Sequence, residues 1–513
     1  MLTDIADSQP ALGLPTATSP LRRRLELTQL IAGLLERQPD LAPRAAVFDL
    51  ADSLATLMDE MQGEAVPATR IDSLDVSDHS AHWARTREFL RIVTPFVSGT
   101  DAPDAEARQR LAADRLAQEW GRNPPKDPVI VAGSTGSRGT TAAFMQTVSA
   151  LPQGALILPG FDTQMPGWVW DRLDDALTGE DHPQFRFRRL MDRTGVSHPS
   201  IRAWTDDIPP APDRNRLISL SLRPAPVTDQ WLHEGADLPD LVATTEKMTL
   251  IEAPTPRAEA QAIALALRDA AEKGRRAALV TPDRMLTRRV AAALDRWGIV
   301  PDDSAGRPLS LSAPGRLLRH VAGIMGARLT SDMLLVLLKH PLTFTGGDRG
   351  RHLLFTRDLE RTLRRKGPAF PTGAALRAWA AVQSEKSRDG GVAYWAATLG
   401  DVIDRAATVT TAPLMTLTAM HRSLTEALAR GMAPAGTGTL WDKEAGAAAL
   451  SLMDNLQQES DAGGEMTPAA YRDLFDAVIA RAEVRETVTA HPDILFLGPR
   501  EAREQNADLV ILG

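Results

Sequence analysis

The stretch GSTGSRGTT (133–141) follows a short apolar run and opens a helical pattern. In that setting the backbone N–H groups at a helix start can cradle a phosphate. Gly133, Ser134, Thr135, Gly136, Ser137 and Arg138 are therefore the candidates for nucleotide or phosphate binding. The phosphate loop of nucleotide hydrolases also needs a lysine six residues after its first glycine. Gly139 stands at that place here, with Arg138 before it. A structural strand-to-helix turn is the reading taken, and an ATPase using this loop with substitute chemistry is the alternative.

A second group lies between Arg349 and Lys366. Arg357, Arg361, Arg364 and Arg365 recur at helical spacing and Lys366 follows, so one helix face could track DNA phosphates. Asp358 and Glu360 partly offset the charge, and a solvated face is the other reading. A third group, Asp75, Asp78, His79 and His82, puts two histidines one helical turn apart. Histidine with carboxylate suits zinc, but no third ligand is evident. The group reads as a polar turn in which Ser77 or Asp78 caps a helix running into Trp83, and no metal is assigned. No catalytic residue is assigned either. The chain has no cysteine, so thiol nucleophiles, disulfides and cysteine zinc sites are excluded.

The elements that must hold these groups follow from pattern. At 513 residues the chain is too long for one core. With 43% hydrophobic and 24% charged residues it has the composition of a globular protein. No apolar run reaches the length of a membrane span, and acids stand where a signal peptide needs basic residues. A cytoplasmic location is expected. The net charge of −8 does not suit a free-standing, non-specific nucleic-acid binder, so any DNA contact must come from local basic clusters or from a more basic partner. Aromatics, at 5%, do not interleave with basic residues into a stacking platform.

Residues 1–127 read as helical, with Ser19-Pro20 as a cap and first-turn proline. From Pro128 short apolar runs alternate with helical periods: PVIVAG (128–133), ALILPG (155–160), MTLIEA (248–253) and AALVTP (277–282). That alternation predicts parallel strands covered by helices. Residues 315–490 are helical in pattern, and DILFLG (493–498) and DLVILG (508–513) return to the strand pattern. The expected fold class is α/β: parallel-sheet domains with a long all-helical insertion. The expected parts are 1–127 and 128–247 of a first domain, 248–314 and 491–513 of a second, and the insertion 315–490.

Several segments resemble AddB proteins of the alphaproteobacterial kind. They include LRRRLELTQLIAGLLERQPDLAP (21–43), FDLADSLATLMDEMQGE (48–64), VIVAGSTGSRGTTA (129–142), the block 250–299, and LFLGPREAREQNADLVILG (495–513). The resemblance runs along nearly the whole chain. It implies superfamily 1 helicase-like domains and a helicase-like scaffold role in a DNA end-resecting helicase–nuclease of double-strand-break repair. It implies AddA as partner, double-stranded DNA ends and single-stranded DNA as substrates, and ATP and Mg²⁺ for the whole complex, with no cofactor in this chain. It also implies that both ends are cut from a longer protein, leaving out the AddB nuclease. A non-catalytic protein-binding scaffold is the remaining alternative.

Overall fold

The computed structural model describes residues 2–9, 12–39, 42–43, 46–67, 69–72, 103–136, 138–387, 390–485 and 490–513. The fold is mostly helical with small parallel sheets, a mixed α/β architecture. After a short helix Leu2–Asp7, helix α1 spans Pro20–Arg37 and α2 spans Val47–Gly63. Pro20 occupies the first turn of α1 as expected, but the Ser19 side chain makes no capping hydrogen bond. Leu27, Ile31, Leu34 and Leu35 of α1 pack on Val47, Ala51 and Leu54 of α2. Helix α3 (Ala105–Arg122) is capped by Asp104, whose carboxylate accepts from Ala107 N at 2.9 Å.

Strand β1 (Val129–Ala132), helix α4 (Gly139–Ser149) and strand β2 (Gly154–Ile157) form one β-α-β unit, the two strands pairing in parallel. Short helices follow, among them α5 (Phe185–Thr194), which ends on the left-handed Gly195. Next come α6 (Pro256–Glu272), β3 (Ala277–Val280), α7 (Arg284–Leu294) and the two-residue strand β4 (Asp302–Asp303). Pro256 opens α6 behind a Thr255 cap, and Ala264, Leu267 and Ala270 on one face cover the sheet beside Leu286 and Val290 of α7.

The helical run then comprises α8 (Ala313–Ile324), α9 (Ser331–Lys339), α10 (Arg349–Lys366), α11 (Gly373–Ser387), α12 (Gly391–Ala407), α13 (Leu414–Arg430), α14 (Lys443–Gln458) and α15 (Pro468–Ala480). Its core holds Leu317, Leu318, Trp395, Leu424, Tyr471 and Phe475, and Leu21 and Leu25 of α1 enter the same core. Hydrogen bonds fasten α1 from outside: Arg22 donates to Asp461 at 3.0 and 2.9 Å and to Glu459 at 3.4 Å, and Gln29 donates to the Gly463 carbonyl at 2.5 Å.

The chain finishes with β5 (Ile494–Leu497) and β6 (Leu509–Leu512). These rejoin β3 and β4 in one all-parallel sheet of order β6-β3-β5-β4. Parallel neighbours buried on both faces need continuous apolar runs, and Ile494, Leu495 and Phe496 of β5 are all buried.

One sequence expectation is corrected. The run 248–253 is not a strand, because a strand exists only where another pairs with it. Its apolar side chains lie exposed, Leu250 at 86%. The strands β1 and β2 form a pair of their own, apart from the sheet of β3–β6. The two α/β parts meet at a hydrogen bond from Arg503 to the Thr135 hydroxyl, 3.4 Å long.

Candidate nucleic-acid interface

The glycine loop after β1 sits against the end of α2. Gly139 N, the first donor of α4, gives its hydrogen to the Glu64 carboxylate at 2.7 Å. Thr140 is buried and donates its hydroxyl hydrogen to the Gly63 carbonyl at 3.2 Å. A Cβ on Gly139 would stand 2.6 Å from the Gly63 oxygen and 2.8 Å from the Glu64 Cα, so close approach of the α2 terminus requires glycine here. Arg138 reaches Glu106 at 3.3 Å. Ser134 accepts from Gly136 N at 3.2 Å, and Thr135 is buried under Arg503. Ser137 lies outside the described residues. The place where a helix start would take a phosphate thus holds the chain's own carboxylate. Ser134, Thr135, Gly136 and Arg138 are engaged in contacts internal to the protein, and Gly133 turns the chain ahead of them at φ 82°.

Helix α10 differs. It carries seven basic and two acidic residues. It buries His352, Phe355, Thr356 and Leu359 on the inner face. Arg357, Arg361, Arg364, Arg365 and Lys366 are all exposed. On a helix the four arginines fall within roughly 100° of arc, so they share one outward face. Arg364 is tied to Glu360 at 2.8 Å, and Glu360 also takes Lys339 at 2.7 Å. These two hydrogen bonds hold the Glu360 carboxyl below its usual range. Among the described residues no carboxylate pairs with Arg357, Arg361, Arg365 or Lys366.

Buried histidines fix the helix from within. His352 is fully buried, accepts from Trp395 Nε1 at 2.9 Å on Nδ1, and meets the Leu338 carbonyl at 2.8 Å through Nε2. A carbonyl only accepts and an indole N–H only donates, so the ring is neutral with its hydrogen on Nε2. Burial lowers its pKa to about 4. Phe344 stacks on the same ring, centroids 4.4 Å apart, and Asp348 caps the helix by accepting from Arg351 N at 3.0 Å. At the entry to α10, Arg349 donates to the His340 carbonyl at 3.1 Å. His340 is buried with Nε2 unpartnered, and burial lowers its pKa to about 4, the neighbouring His320 adding to the effect. His421, buried between the Leu318 carbonyl and the Tyr471 hydroxyl at 2.8 Å each, is likewise lowered to about 4 by burial.

Asp75, Asp78, His79 and His82 lie outside the described residues. Among the described residues no group of three or more acids or histidines could hold a metal, and no helix is long and apolar enough to cross a membrane. Sequence reading missed the arginines of α5. Arg186, Arg189 and Arg193 line a cavity of about 210 Å³ beside Gly136 and Gly139. Their i, i+3, i+7 spacing was the available signal.

No protein-family model matches the chain, and no curated protein sequence matches it.

Proposed function

We propose that this chain is the helicase-like scaffold part of an AddB subunit, guiding DNA in a helicase–nuclease that resects broken DNA ends. The observation that carries the reading is the outward arginine face of α10, borne on a helical segment inserted between strands of one parallel sheet. Four arginines on one side of a helix neutralise phosphates without reading sequence. That is the contact a subunit sliding along DNA needs. On this reading AddA supplies the partner surface, and double-stranded ends and single strands are the nucleic acids held. ATP and Mg²⁺ serve the whole complex, which works in the cytoplasm. Glu64 at the start of α4 speaks against an ATPase centred on residues 133–141, since a nucleotide phosphate would have to displace a carboxylate already hydrogen-bonded there.

A protein-binding scaffold is the second reading, favoured by exposed Trp204, Leu232, Val242 and Leu250. Exposed apolar side chains mark a partner site where they adjoin in one patch. The test that separates the two is fluorescence anisotropy of labelled, tailed duplex DNA with the chain, at several salt concentrations. Salt-sensitive binding weakened by Arg361→Glu with Arg364→Glu supports the DNA-guiding reading. Binding indifferent to both changes leaves the protein-binding scaffold.

A further inference from the structure

A cavity of about 510 Å³ lies where α1 and α2 meet α14 and α15. Its volume falls within the range of small-ligand pockets, ~300–1,000 Å³. The walls are apolar: Leu21 of α1, Phe48 of α2, Leu452 of α14, and Leu474 and Val478 of α15. Ala51, Ala448 and Ala477 also line it, so three of the four helices place a small side chain where a larger one would fill the space. The helices around it are tied to one another. The Asp52 carboxylate accepts from Arg24 at 2.8 Å and pairs with Arg481, just past α15, at 2.5 Å.

The polar groups of the lining fall into two kinds. Arg24, Arg481, Asp52 and Glu483 are the charged ones, and two guanidinium groups against two carboxylates leave the lining without net charge. Thr28 spends its hydroxyl hydrogen on the Arg24 carbonyl at 2.7 Å. Ser451 and Asn455, one turn apart on α14, line the same cavity, and among the described residues neither side chain makes a hydrogen bond. They are the polar groups left to meet a guest.

We propose that this cavity binds an uncharged amphipathic small molecule, a flat apolar body about the size of a naphthalene derivative with one polar group. Its body would leave water for the surfaces of Phe48, Leu452 and Val478, which is the favourable term. Its polar group would take the free hydroxyl of Ser451 or the amide of Asn455. A charged guest would lose its hydration on entry and find no unmatched opposite charge, since Asp52 already holds both arginines. A molecule seated there touches the first helices and the helical run at once, so it would stabilise their contact. The cavity shares no residue with the 133–141 loop or the arginine face of α10, and the DNA-guiding reading stands or falls without it.

The test is fluorescence titration of the full chain with N-phenyl-1-naphthylamine, which is neutral and brightens in apolar surroundings, beside its anionic relative 1-anilinonaphthalene-8-sulfonate. The neutral probe should saturate at one site per chain, bind more tightly than the sulfonate, and raise the melting temperature. Ala477→Phe fills the cavity and should weaken the neutral probe about tenfold or more, because a guest would then clash with the new ring. Asn455→Leu should cause a smaller loss. If Ala477→Phe unfolds the chain, Ser451→Phe, at an exposed position, should block the site in its place. The proposal is overturned if the neutral probe shows no saturable binding, or if the sulfonate binds as tightly. It is equally overturned if a folded Ala477→Phe or Ser451→Phe chain keeps the wild-type signal, which would place the probe on exposed side chains such as Trp204 and Leu232.

Discussion

The Glu64 carboxylate accepts the backbone hydrogen of Gly139 at 2.7 Å, so the end of one helix caps the start of another 75 residues further on. A carboxylate at a helix N-terminus is favoured by the unpaired N–H groups and the helix dipole together. The same two effects make such a place attractive to a phosphate.

Removing that cap should destabilise the fold modestly. Glu64→Ala is expected to cost about 1 kcal/mol, and Gly139→Ala roughly 1–3 kcal/mol because its methyl must push the α2 terminus away. Urea unfolding of both variants checks this. A Gly139→Ala chain as stable as wild type would show that the two helix ends are not pressed together.

Arg138→Ala should leave nucleotide affinity unchanged, because Arg138 faces Glu106 and the loop has no phosphate-binding lysine. Isothermal titration with ATP and Mg²⁺ measures it. Hydrolysis of ATP by pure chain that this substitution abolishes would restore the ATPase reading.

Stability should fall on mild acidification. His340, His352 and His421 have folded pKa values lowered to about 4, so below their ordinary value the unfolded chain binds protons that the folded chain excludes. The stabilisation is complete above pH ~6.5, declines as pH falls from ~6.5 to ~4, and is gone below that. Each group should contribute on the order of 2 kcal/mol of loss by pH 5. Denaturant melts at pH 7 and pH 5 give the slope. His421→Gln should lower stability at pH 7 yet reduce the pH dependence, and an undiminished slope would show that His421 is not the buried neutral group described.

Much of this was legible from residues. The apolar runs at 277–280, 494–497 and 509–512 are bounded by Arg276 and Thr281, Asp493 and Gly498, and Asp508 and Gly513, and they pair as a parallel sheet, while the intervening helical periods form helices α8–α15. MTLIEA carried the same local signal and is not a strand, because pairing depends on a neighbour that composition cannot supply. The helical spacing of Arg357, Arg361, Arg364 and Arg365 was readable, and so was the missing lysine after Gly133. The contact of Glu64 with Gly139, the Trp395–His352 hydrogen bond and the Asp52–Arg481 pair were not. Each joins residues far apart in the chain, which only packing brings together.

The DNA-guiding role in a complex with AddA is tested most directly by native gel analysis of end-labelled, tailed duplex DNA with AddA, with and without this chain. The account predicts a slower-migrating ternary complex that forms only with both proteins, is salt-sensitive, and is weakened severalfold or more by Arg361→Glu with Arg364→Glu. No added shift with AddA, or a ternary complex indifferent to those two charge reversals, would contradict it.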